Sequence, residues 1–377
     1  MKLSIERAAL LHSLAHVQNV VEKRSTIPII SNVKLSAEGE ALVMTATDMD
    51  LSIQAREPAR VSTAGTTTVA AHTLYDITRK LPEGSELSME LVRPREDGGA
   101  VELKVAAGRS VFNLPCLPPD EFPAMEIEEL DVRFEIPAVD LAKLIDKTRF
   151  AVSTEETRYY LNGIHMHAQA EGATSTLRGV ATDGHRLARI EIALPAGAER
   201  MPAIIVPRKT VGEVRKLIEG LDGHLTIGVS AKRIQFLLER TVLVSRLIDG
   251  TFPDYERVIP TGNERIAILA TEPFEKAVDR VATISTERAR AVKLRFADDR
   301  VVISAVSTEA GRGIDELDAQ FDGEALEIGF NARYMLDMLS EIDGDEVRLE
   351  MSNPAAPTLV RDTGDSSTLY VLMPMRV

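Results

Sequence analysis

The feature that most constrains this chain is that one pattern occurs three times. A short apolar run leads into a helix-period segment, then a glycine-bearing turn, then an alternating strand. The copies are TTTVAAHTLYDITRKLPEGSELSMEL (66–91), AIIVPRKTVGEVRKLIEGLDGHLTIGV (203–229) and LEIGFNARYMLDMLSEIDGDEVRLEM (326–351). The turn glycines Gly84, Gly223 and Gly344, and the helix-start residues Ala71, Pro207 and Asn331, recur in the same order at spacings near a third of the 377 residues. Repetition at such a period means one packing unit used repeatedly. A second helix precedes each copy, over Ile5–Val20, Pro137–Phe150 and Pro273–Ser285, with apolar residues at i, i+3 and i+4. Pro137 and Pro273 suit a first helical position. Between helices the chain alternates as strands do, in Ala41–Asp48, Arg233–Glu239 and Arg300–Ser307. A weaker echo aligns Asp48 of MTATDMDLSIQA with Asp183 of GVATDGHRLARI; the third copy offers only Val306–Ala310. The expected fold class is α+β, with three repeated domains over 1–127, 128–260 and 261–377, each carrying two helices on antiparallel sheets.

Composition narrows the function. A chain with 27% charged and 44% hydrophobic residues folds, and is neither disordered nor collagen-like. No apolar run approaches ~18 residues, so no membrane span is expected. Glu6 and Arg7 fall where a secretory signal needs apolar residues, so the start reads as mature sequence. The lone Cys116 excludes an internal disulfide and a cysteine-built zinc site, and suits a reducing cytoplasm. Its setting, NLPCLPP, reads as packing. The net charge of −14 argues against a surface-wide DNA binder. The six helical segments are nonetheless slightly positive in sum, so a face made of helices could sit against phosphates.

No catalytic site emerges. Asp183 and His185 in TDGHRLA could form an acid–base pair, but they flank a glycine and no nucleophile pattern accompanies them, so a strand-to-strand turn is the expected role. His165 and His167 share one side of a strand without the carboxylates that would complete a metal site. Phosphate-loop, dinucleotide and serine-hydrolase motifs are missing. No cofactor and no metal are expected. The end, TLYVLMPMRV, is apolar to its last residue: Tyr370 to Leu372 read as a strand, and Met373, Pro374 and Met375 as an adaptable apolar tail.

Several longer motifs carry a family resemblance. RYYLNG (158–163), VATDGHRLA (180–188), VPRK (206–209), DGTFPDYERVIP (249–260) and the terminal YVLMPMRV resemble the bacterial DNA sliding clamp, the β subunit of DNA polymerase III holoenzyme, and the likeness runs from MKLSIER to the last residue. The resemblance implies a non-catalytic, cytoplasmic processivity factor. It implies a head-to-tail homodimer of two half rings, closing six domains around duplex DNA without regard to sequence. Enclosure would then answer the objection from acidity, because topology retains the DNA and phosphate contacts can stay weak.

Residue by residue, the resemblance places DNA contacts at Arg24, Arg158, Tyr159, Tyr160, Arg208 and Lys209. It places a pocket for partner peptides at Leu161, Thr182, Gly184, His185, Arg186, Leu187, Pro253, Arg257, Val258, Tyr334, Val371, Leu372, Met373, Pro374, Met375 and Arg376. The implied users are the polymerase III α subunit, the clamp-loader δ and other subunits, other DNA polymerases and repair proteins. Ring contacts fall at Arg109, Phe112 and Leu114 on one end and Ile284 on the other. Two departures stand out. The third domain has STEAGRGIDE (307–316), interrupted by Gly311 and Arg312, in place of a dense acidic run, and Val111 faces it where a basic residue is usual. The ring joint is therefore expected to lean on apolar contact. Glu155, beside the DNA segment, should weaken phosphate contact locally.

Overall fold

The computed structural model describes residues 1–22, 26–92, 101–123, 125, 130–171, 174–285 and 290–376. Among them are six α-helices: α1 (Arg7–Val20), α2 (Ala71–Lys80), α3 (Ala138–Arg149), α4 (Arg208–Leu217), α5 (Thr271–Ala282) and α6 (Ala332–Leu339). The apolar spacing explains their packing. In α1 the buried positions are Leu10, Ser13, Leu14, Val17 and Val20, and in α5 they include Phe274, Ala277, Val278 and Val281, one stripe per helix. Helix α6 is capped by Asn331, whose side chain accepts from the N–H groups of Arg333 and Tyr334.

The repeat is visible in the backbone. In each third, the strand before the first helix pairs antiparallel with the strand after the second: Lys2–Glu6 with Glu86–Val92, Val132–Pro137 with His224–Val229, and Arg265–Ala270 with Glu346–Met351. The first helical N–H then donates to the turn that follows the second helix: Arg7 to Ser85 O at 2.9 Å, Ala138 to Gly223 O at 2.8 Å, and Thr271 to Asp345 O at 2.8 Å. One orphan donor at each helix start is thereby satisfied without a side-chain cap. Two expectations need correction. Ile5 and Glu6 belong to a strand, because their register with Leu87 and Glu86 claims their backbone groups. Pro137 ends a strand and Pro273 is the third residue of α5, so neither opens its helix. The turn glycines also differ: Gly84 and Gly223 have positive φ, whereas Gly344 is crowded, since a Cβ there would meet Asp362 Oδ1 at 2.3 Å and that carboxylate would have to shift.

The chain forms two compact units. One comprises Met1–Val139, Pro195–Met201 and Gly212–Leu247; the other comprises Asp140–Leu194, Pro202–Val211 and Ile248–Val377. The dividing line runs through the central third because strands of neighbouring thirds pair. In the first unit, Thr241–Arg246 continues the sheet of Leu51–Pro58, and the whole sheet has 13 strands. In the second, Arg186–Ala193 pairs with Thr368–Leu372, Arg186 opposite Leu372, within a sheet of nine. Thr368–Leu372 is buried at every position, so the apolar strand near the chain's end is core and not surface. Lys143 and Lys147 of α3 tie to Asp365 and Asp343, each at 2.8 Å. Burial opposes the charge of Asp365, but bonds from Lys143 and Ser367 hold its pKa at about 2. Among the described residues no helix is long and apolar enough to cross a membrane.

Candidate partner pocket and nucleic-acid contacts

The turn Thr182–Arg186 is a small hydrogen-bonded cage. Thr182 Oγ1 donates to Arg186 O at 2.7 Å and accepts from Gly184 N at 3.1 Å. Asp183 Oδ1 accepts from the N–H groups of His185 and Arg186 at 2.9 and 3.0 Å. Asp183 is therefore spent on the backbone and on Arg186, and the acid–base reading of Asp183 with His185 loses its base. Gly184 sits at φ +90°, where a side chain is strained. The echo noted in the first third is the same cage, with Thr47 bonded to Leu51 O and Asp48 accepting from Asp50 and Leu51. Met49 occupies the position of Gly184 at φ +85°. Even the strand that follows matches: Arg246 N donates to Asp50 O, as Met373 N does to His185 O.

Apolar side chains cluster beneath the second copy, which is the candidate pocket. They are Leu161, Val180, Leu187, Ile205, Phe252, Tyr255, Leu359, Leu369 and Val371. At the rim Val258 is 45% exposed and Met373 39% exposed. Pro253, His185 and Arg257 are exposed, and Tyr334, Pro374, Met375 and Thr182 half-buried. Leu372 is fully buried. The tail is not frayed, for Met375 N donates to Gly329 O at 2.9 Å. In the first third, Asp50 and Ser52 stand where His185 and Leu187 stand here, and Arg246 stands where Met373 does, so the same backbone presents polar side chains at these positions.

One side of the candidate pocket hangs on Arg186, which is only 9% exposed. Its guanidinium donates to Asp183 Oδ2 at 3.1 Å, Asp337 Oδ2 at 2.6 Å and Phe150 O at 2.6 Å. It also lies over the Tyr334 ring, 4.5 Å from the centroid. His185 stacks on the same ring at 5.9 Å. Asp337 and Tyr334, one turn apart on α6, thus fix the turn that carries His185 and Leu187. Asp337 and Phe150 escaped sequence reasoning; a buried arginine needing a carboxylate was the available signal.

The nucleic-acid candidates also gather. Arg158, Tyr159 and Tyr160 lie in a 3₁₀ turn, Glu156–Leu161, and the next residue, Asn162, accepts from Arg208 N at 2.9 Å, bringing the start of α4 alongside. Tyr159 is 53% exposed and meets Tyr160 edge-on at 5.8 Å. Arg208 and Lys209 are exposed. Arg158 is paired with Glu155. Arg24 lies outside the described residues. His165 and His167 stand 5.0 Å apart, but His165 faces Ile204 O and stacks on Phe252 at 4.7 Å, and His167 meets the Tyr255 hydroxyl. Burial, with His167 beside it, lowers His165 to about 4. Among the described residues no group of His, Cys, Asp or Glu is arranged to hold a metal. Of the ring-contact candidates in the first unit, Arg109 and Phe112 are exposed and Leu114 is buried in its own sheet; in the second unit, Ile284 packs on Gly313. Exposed Val306 and Ile314, which sequence reasoning missed, share a face of neighbouring strands there.

One chain thus carries a triplicated α+β scaffold, an apolar cluster beneath the Thr182–Arg186 turn and a cationic, aromatic 3₁₀ turn. Comparison with known proteins agrees. Models of the DNA polymerase III beta subunit match its N-terminal domain over residues 1–126, its central domain over 135–254 and its C-terminal domain over 256–376. The beta sliding clamp of Caulobacter vibrioides is 49% identical over 377 residues, all of both chains, and that of Vibrio cholerae 36% over 378, again all of both. A crystal structure of the C. crescentus clamp with PEG bound superposes with a TM-score of 0.96 at 49% identity, covering 100% of this chain and 99% of that one. One of a Bartonella birtlesii clamp bound to griselimycin gives 0.95 at 43%, covering all of both. The chain belongs to the DNA polymerase III beta subunit family, the beta sliding clamps. Its function is that of the family: a processivity factor in DNA replication, a non-catalytic subunit of the polymerase holoenzyme.

Proposed function

We propose that two copies of this chain close head to tail into a six-domain ring around duplex DNA, with domain boundaries near residues 127 and 260. The observation that carries this reading is a pair of unlike open strand edges. Among the described residues, Ser110–Leu117 pairs along one side with Glu102–Ala107 but on the other only at Cys116 and Leu117. Gly311–Asp318 pairs only with Arg300–Ser307. Exposed edges of this kind recruit another strand. Two different surfaces, one toward each end of the chain, make a heterologous joint that closes when the rotation returns to its start. Val111 and Phe112 of one copy would meet Val306, Ile314 and Ile284 of the other, with Arg109 at the margin.

Two carboxylates of the third-domain edge, Asp315 and Glu316, are already engaged within the chain. Asp315 accepts from Arg280 at 2.6 and 2.9 Å, and Glu316 from Arg300 at 2.7 Å. This supports a joint made of backbone pairing and apolar contact. Inside the ring, Arg24, Arg158, Tyr159, Tyr160, Arg208 and Lys209 would touch DNA without reading bases. The pocket over Leu161, Leu187 and Val371 would take apolar side chains of short peptides from the polymerase III α subunit, the clamp-loader δ subunit, other polymerases and repair proteins, each buried side chain giving about 1.5–3 kcal/mol. The ring would work in the cytoplasm. Light scattering tests the assembly: the mass of two chains at both low and high salt is expected. A single-chain mass contradicts the ring, and a dimer lost on adding salt contradicts the apolar joint.

A further inference from the structure

The DNA-facing turn and the partner pocket share one side chain. Arg158 falls at a kink of its 3₁₀ turn, with φ −112° and ψ 48°. Glu155 grips its guanidinium through two bonds, Nε to Oε2 at 2.8 Å and Nη2 to Oε1 at 2.6 Å. Glu155 is itself placed by the backbone: its N–H donates to Oγ of the buried Ser153 at 3.1 Å, and Ser153 N donates to Leu161 O at 3.1 Å. The remaining nitrogen, Nη1, lies over Gly184, so close that a Cβ there would sit 2.5 Å away. Gly184 is the centre of the turn that carries His185 and Leu187 into the pocket. A cation on the DNA-facing segment therefore rests on the pocket wall, and a carboxylate holds it there.

We propose that Glu155 is a positioning residue that keeps Arg158 on the Gly184 turn, so that phosphate contact at this segment and partner binding in the pocket oppose one another. The inference rests on the reading of the two surfaces given above. The arginine fork fits a carboxylate or a phosphate through the same N–H groups, so DNA gains Arg158 only when the Glu155 pair breaks. The guanidinium then leaves Gly184 and the turn loses its support. By linkage, whatever bound DNA takes from partner affinity, a bound partner takes from this DNA contact.

The test uses full-length E155Q, R158Q and the double variant. Affinity for the polymerase III α subunit is read by surface plasmon resonance, and the diffusion coefficient of the loaded protein on nicked circular duplex by single-molecule tracking. E155Q is expected to weaken α-subunit binding roughly 5-fold and to slow sliding, because the freed Arg158 grips phosphates. R158Q is expected to weaken α-subunit binding similarly and to speed sliding. The double variant should match R158Q in both, since Glu155 acts only through Arg158. An E155Q variant unchanged in both readouts, or one whose loss persists in full in the R158Q background, overturns the role of Glu155. An R158Q variant unchanged in both removes instead the underlying assignment of this segment to DNA and pocket.

Discussion

Replacing Glu341 by glutamine should stabilise the protein above neutral pH and leave it unchanged in mild acid. Glu341 follows α6, and burial raises its carboxyl from 4.5 to about 7. Asp146 and Asp343 add to the rise, and Lys147 and Arg149 only partly offset it. Lys147 is committed elsewhere, to Asp343 Oδ2 at 2.8 Å and to the backbone carbonyl of Glu341. The unfolded chain releases this proton near 4.5 and the folded chain near 7. Stability therefore falls as pH rises between those values, and the full penalty is present above 7. A tenfold change in proton affinity is worth about 1.4 kcal/mol. Because the side chain is only half-buried, solvent screening cuts the total to about 1–2 kcal/mol. Glutamine keeps the shape and removes the charge. Thermal melts of wild type and E341Q at pH 4.5 and pH 8, followed for every transition of the two units, read the difference. The variant should be the more stable at pH 8 by that amount and equal at pH 4.5. Equal stability at both pH values, or a less stable variant at pH 8, refutes the reasoning.

Other outcomes follow from the pocket. Asp337→Asn removes one of the two carboxylates that hold Arg186 and should weaken α-subunit binding, with a loss of about 1–2 kcal/mol in stability; a variant that melts earlier but binds normally would show that the wall does not depend on this pair. Deleting Met373 to Val377 removes the rim but none of the buried strand Thr368–Leu372, so partner binding should be lost while the dimer persists in light scattering. Monomers after that deletion would make the tail structural.

The repeat was legible because helix periodicity and turn residues survive in all three copies: Ala71 opens α2, Pro207 precedes α4 and Asn331 caps α6. Helix starts were misplaced where strand pairing claimed the residues, as at Ile5 and Glu6, since pairing across some 80 positions leaves no local trace. The Asp48 and Asp183 cages were seen only as a faint echo, because side chains, not the backbone, separate a polar turn from a pocket. Glu155 was read as a local drag on phosphate contact. Its hold on Arg158, and through it the approach to Gly184, depends on segments brought together only in the fold. Asp337 lies about 150 residues from Arg186, beyond the reach of any motif.

Retention on DNA tests enclosure most directly. The protein, loaded by its clamp loader onto nicked circular duplex, should stay bound through a high-salt wash and leave promptly once a restriction enzyme linearises the circle. Equal retention on circular and linear DNA would contradict a ring that holds by topology, and loss from the closed circle in salt would show that contacts, not enclosure, had held it.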